Sequence, residues 1–251
     1  MRHRRGRRAR ALASPGVTSR ASYGVDGWPY VLGLAGSGAL TSLGAVLAAR
    51  AGRGRWAGAL AVAAAGALVP AGLGVDYVRS GKLLLRDRLL DAVTWRGDEV
   101  VLDVGSGAGL LGLGAARRVP RGRVHCVDLW VGTDLSGNGV DRLRRNARLE
   151  GVADRVDART VDARELDLPD RSVDVVLSSL CLHNIDDAGR RRAAGEMARV
   201  LAPGGTVAVS DLAGTDDLAA WFTADGLRVL RHERVPRTFP PQRWVLAERP
   251  R

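Results

Sequence analysis

The sequence predicts an α/β protein with a doubly wound, mostly parallel sheet of seven strands and an antiparallel C-terminal edge, preceded by an N-terminal helical hairpin. From residue 97 onward, short apolar segments alternate with helical patterns, which is typical of a parallel sheet covered on both faces. Before it lie two uncharged segments, 30–49 and 56–75, each long enough for a helix that crosses a membrane.

The individual elements follow from local patterns: runs rich in β-branched residues for strands, apolar residues at helical spacing for helices. Glycine and proline mark the breaks between them. The last two strands are joined too briefly for a helical crossover, so we expect an antiparallel pair. The predicted strands are 99–104, 123–128, 155–161, 172–179, 206–212, 226–233 and 242–248, and the predicted helices are 80–95, 109–118, 138–150, 187–201 and 216–223.

The net positive charge of the chain comes entirely from its first third. Residues 1–90 contain 14 basic and three acidic residues, a net charge of +11, whereas residues 91–251 contain 24 of each kind. We therefore expect no specific nucleic-acid partner for the sheet region. The predicted organisation is a basic disordered tail (1–29), two transmembrane helices (30–78), a connecting helix (79–96) and the sheet domain (97–251).

Neither apolar segment has a polar face, which argues against surface helices. Small residues recur at four-residue spacing, as in the pairs Gly33/Ser37 and Gly38/Ser42, and would let the two helices pack closely. Basic residues flank the pair, so the positive-inside rule predicts a multi-pass cell-membrane protein whose sheet domain is cytoplasmic. The alternative is a cytoplasmic protein whose helical hairpin packs on the domain.

Cysteine usage points to no metal. Cys126 and Cys181 have neither the number needed for a disulfide framework nor the C-x-x-C spacing of a metal site. A reducing compartment is therefore the expected setting of the sheet domain.

The segment 100–109 has the order strand, glycine turn, helix start, where a nucleotide-like ligand binds in such sheets. A dinucleotide fingerprint places its third glycine at 110, which is Leu110. The glycines instead fall at Gly105, Gly107 and Gly109, giving D-x-G-x-G-x-G from Asp103. No Lys-Ser or Lys-Thr pair follows, which excludes a Walker loop.

This stretch resembles motif I of the class I S-adenosylmethionine (SAM)-dependent methyltransferases, and Pro203-Gly204-Gly205 resembles their turn before the fifth strand. The resemblance implies a Rossmann-like methyltransferase domain and SAM as cofactor. Asp128, at the end of the second strand, would accept hydrogen bonds from the ribose. Asp162 would accept from the adenine amino group, with Asp157 and Asp167 as competing acids. The implied cofactor-binding residues are Asp103, Gly105, Ser106, Gly107, Gly109, Asp128, Leu129, Asp162, Ala163 and Ser178.

One segment departs from the family pattern. Residues 130–138 follow Asp128, where family members often begin a helix. Asp134 and Ser136 are candidates to share the ribose role.

The resemblance implies methyl transfer from SAM to a small-molecule or lipid-like acceptor by in-line displacement. Such a reaction needs a protein base only if the attacking atom arrives protonated. His183 is the first candidate because its unperturbed pKa is near neutrality, and Asp211 is the second; a purely structural role for His183 remains open. The alternatives are a non-catalytic SAM-fold interaction module at the membrane and an NAD(P)-dependent oxidoreductase.

Overall fold

The computed structural model describes residues 21–236 and 238–251. Its seven strands form one sheet in the order β3-β2-β1-β4-β5-β7-β6, and β7 runs antiparallel to both β5 and β6. The predicted fold class is confirmed, including the antiparallel edge. The strands are β1 Val100–Val104, β2 Arg123–Asp128, β3 Val156–Thr160, β4 Val173–Ser179, β5 Leu201–Asp211, β6 Arg228–Val235 and β7 Gln242–Glu248.

Helices cover both faces of the sheet. They are α3 Lys82–Asp91, α4 Leu110–Ala116, α5 Val140–Leu149, α6 Asp187–Val200 and α7 Thr215–Ala224, while the two helices before them, α1 Trp28–Arg50 and α2 Gly54–Asp76, form the N-terminal hairpin. One buried cluster contains Leu89 of α3 and Leu113 of α4, and the other contains Met197 of α6 and Phe222 of α7. Neighbouring residues of a strand alternate between these clusters because their side chains point to opposite faces.

Two strands, the fifth and the sixth, have boundaries that differ from the prediction by more than one residue. β5 begins at Leu201, because Leu201 already pairs with Val173 and the Pro203-Gly204-Gly205 turn lies inside the strand, where the register shifts. The sixth strand begins at Arg228 because Gly226, with φ +82°, still belongs to the preceding turn.

The hairpin consists of α1 and α2, which pack against each other. Of the small residues predicted at their contact, Gly38 lies against Leu68, since a Cβ added there would be 2.6 Å from that side chain, whereas Gly33 has nothing within 4 Å. Pro70 lies inside α2, which continues through it. A π-helical turn, Tyr77–Gly81, then joins α2 directly to α3.

Residues 21–27 correct the predicted tail of 1–29. The Val25 N–H donates to Ser136 Oγ at 2.9 Å, and Asp26 forms an antiparallel bridge with Leu135. These bonds hold the segment against the sheet domain, so this part of the tail is ordered. Trp28 and Pro29, the last two residues of the predicted tail, begin α1, and residues 1–20 lie outside the described residues.

Candidate active site

A cavity opens at the carboxyl ends of β1 to β4. The strand order reverses between β1 and β4, and doubly wound sheets bind their ligands at this switch point. Most of the predicted cofactor-binding residues line this cavity. They are Asp103, Gly105, Ser106, Gly107, Asp128, Leu129, Asp162 and Ala163.

The glycine loop has the backbone geometry that its sequence requires. Gly105, Gly107 and Gly109 have φ values of +69°, +51° and +88°, a region that favours glycine. A Cβ on Gly105 would lie 2.3 Å from Cys181 Sγ, so a side chain there has no space. Gly109 does not line the cavity; it precedes α4 and allows the turn into that helix.

Asp103 lies at the floor of the cavity and is 1% exposed. Its Oδ2 accepts from the Gly112 N–H at 2.7 Å, which satisfies a free donor in the first turn of α4. Burial raises the pKa of this carboxyl to about 7, although the Gly112 hydrogen bond acts in the opposite direction. Near neutral pH, Asp103 therefore exchanges between a neutral and a charged form.

Asp128 connects the end of β2 to the glycine loop. Its Oδ2 accepts from the Gly107 N–H at 2.8 Å and its Oδ1 accepts from the Trp130 N–H. Burial raises the pKa of Asp128, and these hydrogen bonds offset part of that rise. The next residue, Leu129, is 51% exposed while lining the cavity.

Asp162 follows β3, and its carboxylate already has a partner. Both oxygens accept from the Arg164 guanidinium, at 3.0 Å from Nε and 2.6 Å from Nη2. This hydrogen bond to Arg164 holds the pKa of Asp162 below its usual range. A cofactor amino group would therefore share the carboxylate with Arg164.

Ser178 is placed differently from the prediction. It is fully buried and pairs with Val104 and Val209 inside the sheet, whereas the next residue, Ser179, lines the cavity. A shift of one residue along a strand moves a side chain to the other face. The structure therefore places Ser178 away from the cavity, and Ser179 is the terminal serine of β4 that faces it.

His183 and Asp211 form a pair at the edge of the cavity. His183 Nδ1 lies 2.6 Å from Asp211 Oδ1, while Oδ2 accepts from the Leu182 N–H at 2.8 Å. Burial acts to lower the pKa of His183, but the hydrogen bond to Asp211 and its charge outweigh this and raise it. Neither residue belongs to the cavity wall, which nearby contains Cys181 and Asn184.

Asp211 is thereby corrected as a candidate base. It is 1% exposed, and its two oxygens accept from the Leu182 and Leu212 N–H groups as well as from His183. A carboxylate used in this way orients the imidazole and fixes its proton on Nδ1. The free Nε2 of His183 is then the atom that can take a proton.

The other wall of the cavity comes from residues that the sequence did not identify. Tyr23, Asp26, Tyr77 and Lys82 line it from the side of the hairpin. Lys82 Nζ is 2.8 Å from Asp26 Oδ2 and donates to the carbonyl oxygens of Tyr23 and Gly24, each at 3.0 Å. The single lysine of the chain therefore fixes the N-terminal segment over the cavity. A lone lysine in a chain that otherwise uses arginine is the one feature of the sequence that could have drawn attention to this wall.

Tyr77 belongs to a buried hydrogen-bonded chain beside the cavity. Gln242 Nε2 donates to the Tyr77 hydroxyl at 2.9 Å, and Gln242 Oε1 accepts from Ser210 Oγ at 2.9 Å. All three side chains are at most 4% exposed. This chain connects the end of the hairpin with β5 and β7.

The segment 130–138 connects the cofactor side of the cavity with the N-terminal segment. Trp130 has φ +59° and its Nε1 donates to Thr160 Oγ1 at 2.8 Å. Ser136 holds Val25 and does not line the cavity, which corrects its candidate ribose role, whereas Asp134 does line it.

These features fit SAM. Glycines at positive φ leave space for a ligand against the backbone, and acidic side chains face the cavity from β1, β2 and β3. Buried carboxylates suit a ligand with hydroxyl, amino and sulfonium groups. Asp128 and Asp162 would hold its nucleoside part, and Asp103 with the glycine loop would hold its amino-acid part.

Comparison with known proteins supports this assignment. Residues 101–205 match a family model described as a methyltransferase domain. An uncharacterized methyltransferase of Mycobacterium bovis is 35% identical over 123 residues, covering 49% of this chain and 55% of the relative. The 27-O-demethylrifamycin SV methyltransferase of Amycolatopsis mediterranei is 34% identical, covering 51% and 43%. The chain thus spans about half the length of these relatives.

Among solved structures, the geranyl diphosphate C-methyltransferase of Streptomyces coelicolor, determined with Mg²⁺, geranyl diphosphate and S-adenosyl-L-homocysteine, shares the fold with a TM-score of 0.57 at 16% identity. The match covers 70% of this chain and 82% of that one. The family match and the relatives support a methyltransferase domain in this chain, and the solved structure shares its fold.

Proposed function

We propose that this chain is a membrane-anchored enzyme that transfers a methyl group from SAM to a small, lipid-soluble acceptor. The observation that carries the proposal is the cavity at the switch point, which combines the glycine loop, Asp128 and Asp162 in one wall. SAM supplies a methyl group on a sulfonium centre. The chain's own residues then have to align the acceptor and exclude water.

His183 is the residue we assign to proton removal when the acceptor arrives protonated. Asp211 accepts a hydrogen bond from Nδ1, so Nε2 is the ring nitrogen that can take the proton. Because Asp211 raises the pKa of His183, the imidazole is a stronger base than an isolated histidine. Asp211 acts as a positioning residue through His183.

The membrane anchor is supported by what the hairpin leaves exposed. Both helices are long and apolar enough to cross a membrane, and only 6% and 17% of their most apolar windows are buried. Leu40 and Val62 are 73% and 74% exposed. A core helix of a soluble domain would bury such residues. A helix of 23 residues is about 35 Å long, enough for a hydrocarbon core of about 30 Å.

The orientation follows from charge. Arg79, Arg86 and Arg88 follow the second span and the basic block at 1–10 precedes the first, against three arginines in the link. The positive-inside rule then places the sheet domain in the cytoplasm. A site held at the membrane surface favours an acceptor that dissolves in lipid.

Calorimetry of the full chain in detergent with SAM tests the cofactor site. The full chain is needed because a fragment that begins near residue 80 would lose Tyr23, Asp26 and Tyr77 from the cavity wall. Gly105→Ala should abolish measurable binding, since its Cβ would meet Cys181 at 2.3 Å. Gly132→Ala is the matched control, because a Cβ there meets nothing within 4 Å. Absent binding, or equal binding by both variants, would contradict the proposed site.

Transfer of radiolabelled methyl groups to fractionated lipid extract tests the reaction. Label should enter a lipid-phase product, and His183→Ala should reduce it. SAM binding without transfer to any fraction, unchanged in His183→Ala, would identify a non-catalytic module. A fluorescence titration with NAD(P)H tests the oxidoreductase alternative, which Leu110 in place of the third glycine disfavours.

A further inference from the structure

We propose that the pocket rim, residues 129–133, lies in the interfacial layer of the lipid bilayer and forms the entrance through which the acceptor passes from lipid into the cavity. The inference rests on the proposed membrane anchor and adds a contact surface on the sheet domain itself. Its partner is the lipid bilayer.

The first argument is the position of the rim beside the start of α1. Trp28 is the first residue of that helix, and its Nε1 donates to the Gly132 carbonyl oxygen at 3.3 Å. The Gly27 N–H donates to the Asp134 carbonyl oxygen at 3.0 Å. A tryptophan at the end of an apolar span typically lies at headgroup depth. The rim is therefore fixed at that depth if α1 spans the membrane.

The second argument is the chemistry of the rim. Leu129 and Val131 are 51% and 46% exposed, although both line the cavity. Residues 129–133 contain no charged side chain. Apolar side chains at the mouth of a cavity, beside the first residue of α1, suit contact with lipid better than with water.

The third argument is the position of the end of the hairpin that lies nearest the sheet domain. A Cβ on Gly74 would lie 3.7 Å from Val31 and 3.8 Å from Phe239, so α1, α2 and the loop before β7 meet there. The apolar part of α2 ends at Asp76, and the next residue, Tyr77, already lines the cavity. The start of α1 and the end of α2 thus both lie beside the cavity, which places its opening at the level where the proposed spans leave the bilayer.

Spin labels report this contact directly. Val131→Cys and Gly132→Cys would each be labelled with a nitroxide in the full chain, reconstituted into phosphatidylcholine–phosphatidylglycerol vesicles. Gly132 is a safe second position because an added Cβ meets nothing within 4 Å. Leu230→Cys is the control, since Leu230 is 45% exposed, comparable to Val131 at 46%. Leu230 lies within the strand β6, five residues before the strand ends at Val235, which is a distance of about 17 Å along the strand.

Power-saturation electron paramagnetic resonance would compare accessibility to oxygen with accessibility to a water-soluble nickel chelate. We expect a several-fold higher oxygen-to-nickel ratio at 131 and 132 than at 230. Labelled wild-type chain gives the background, which should be small because Cys126 is buried and Cys181 is partly so. Circular dichroism checks that each variant is folded.

A carbonate wash of the same vesicles separates this inference from the proposed function. If the chain stays in the vesicles and the rim labels have the ratio found at 230, the rim inference is wrong while the anchor stands. If carbonate releases the chain, the anchor itself is wrong. Retention with a high ratio at both rim positions supports the inference.

Discussion

The sheet domain and the hairpin use the same apolar residue types in opposite ways. Leu102 and Leu113 are fully buried in the sheet domain, whereas Leu40 and Val62 of the hairpin are 73% and 74% exposed. The sheet domain provides its own apolar environment by packing helices on both faces. The hairpin has only its partner helix, so its outer surface is stable where the surroundings are themselves apolar. This difference is what the proposed anchor predicts, with the sheet domain in water and the hairpin in lipid.

The largest expected effect concerns the chemistry of the sheet domain. His183→Ala should lower the rate of methyl transfer about 10²–10⁴-fold if the acceptor must lose a proton. Because the pKa of His183 is raised, the rate should increase with pH, with its midpoint above the ordinary value of about 6.5. Asp211→Asn should move that midpoint to lower pH. Initial rates between pH 5 and 9 measure both effects.

SAM affinity is the control measurement for the His183→Ala and Asp211→Asn variants. Neither His183 nor Asp211 lines the cavity, so both variants should bind SAM as the wild type does. A rate that is independent of pH and unchanged in His183→Ala would leave the pair a purely structural role.

The second effect concerns the hairpin. Leu40→Arg puts a charge near the middle of α1, which costs about 2.5–3.5 kcal/mol at the centre of a membrane span and shifts the insertion equilibrium roughly 100-fold. In water the same substitution at an exposed position would cost little. The fraction of chain that resists carbonate extraction should fall sharply.

Leu230→Arg is the matched variant in the sheet domain, at a position 45% exposed. It should leave the carbonate-resistant fraction unchanged. Equal behaviour of the two variants would remove the contrast between the regions and favour a hairpin that lies in water.

Much of the sheet domain could be predicted because its signals are local. Alternating glycines, the acid that ends β2 and the strand periodicity each occupy a few consecutive residues. Ser178 shows the limit of such signals, because choosing between Ser178 and Ser179 depends on a register of one residue. The bulge that places Pro203 inside β5 likewise depends on pairing with a distant strand.

The cavity wall formed by Tyr23, Asp26, Tyr77 and Lys82 could not be predicted in the same way. These residues are far in sequence from the glycine loop and form no motif with it. Tyr77 directly follows α2, and the π-helical turn that brings it to the cavity has no marker in the sequence. Only tertiary packing brings the two regions together.

The third effect tests the floor of the cavity. The pKa of Asp103 is raised to about 7, and a positively charged ligand favours the ionised form. SAM affinity should therefore increase about tenfold from pH 6 to pH 8, and calorimetry at the two values measures it. Asp103→Asn should remove this dependence, whereas an unchanged slope would place the titrating group elsewhere.

The raised pKa of Asp103 also makes the stability of the folded chain depend on pH. The folded chain holds the Asp103 proton at pH values where the unfolded chain, with a pKa near 3.9, has lost it. This contribution to stability is present at low pH and is lost as pH rises through about 7. Asp103→Asn should flatten that part of the stability profile of the SAM-free chain in urea titrations.

The smallest expected effect tests the contact between the N-terminal segment, which leads into the hairpin, and the sheet domain. Ser136→Ala removes the 2.9 Å hydrogen bond from the Val25 N–H, worth about 1 kcal/mol, and so loosens the N-terminal segment over the cavity. If that segment helps to hold the cofactor, SAM affinity should fall by up to about fivefold. Ser172→Ala is the control, because its hydroxyl makes a 2.7 Å bond to Pro169 in the turn before β4, at the opposite end of the sheet from the cavity. Equal SAM affinity in both variants would mean that the N-terminal segment covers the site without contributing to it, and that the hairpin and the sheet domain are coupled only by position.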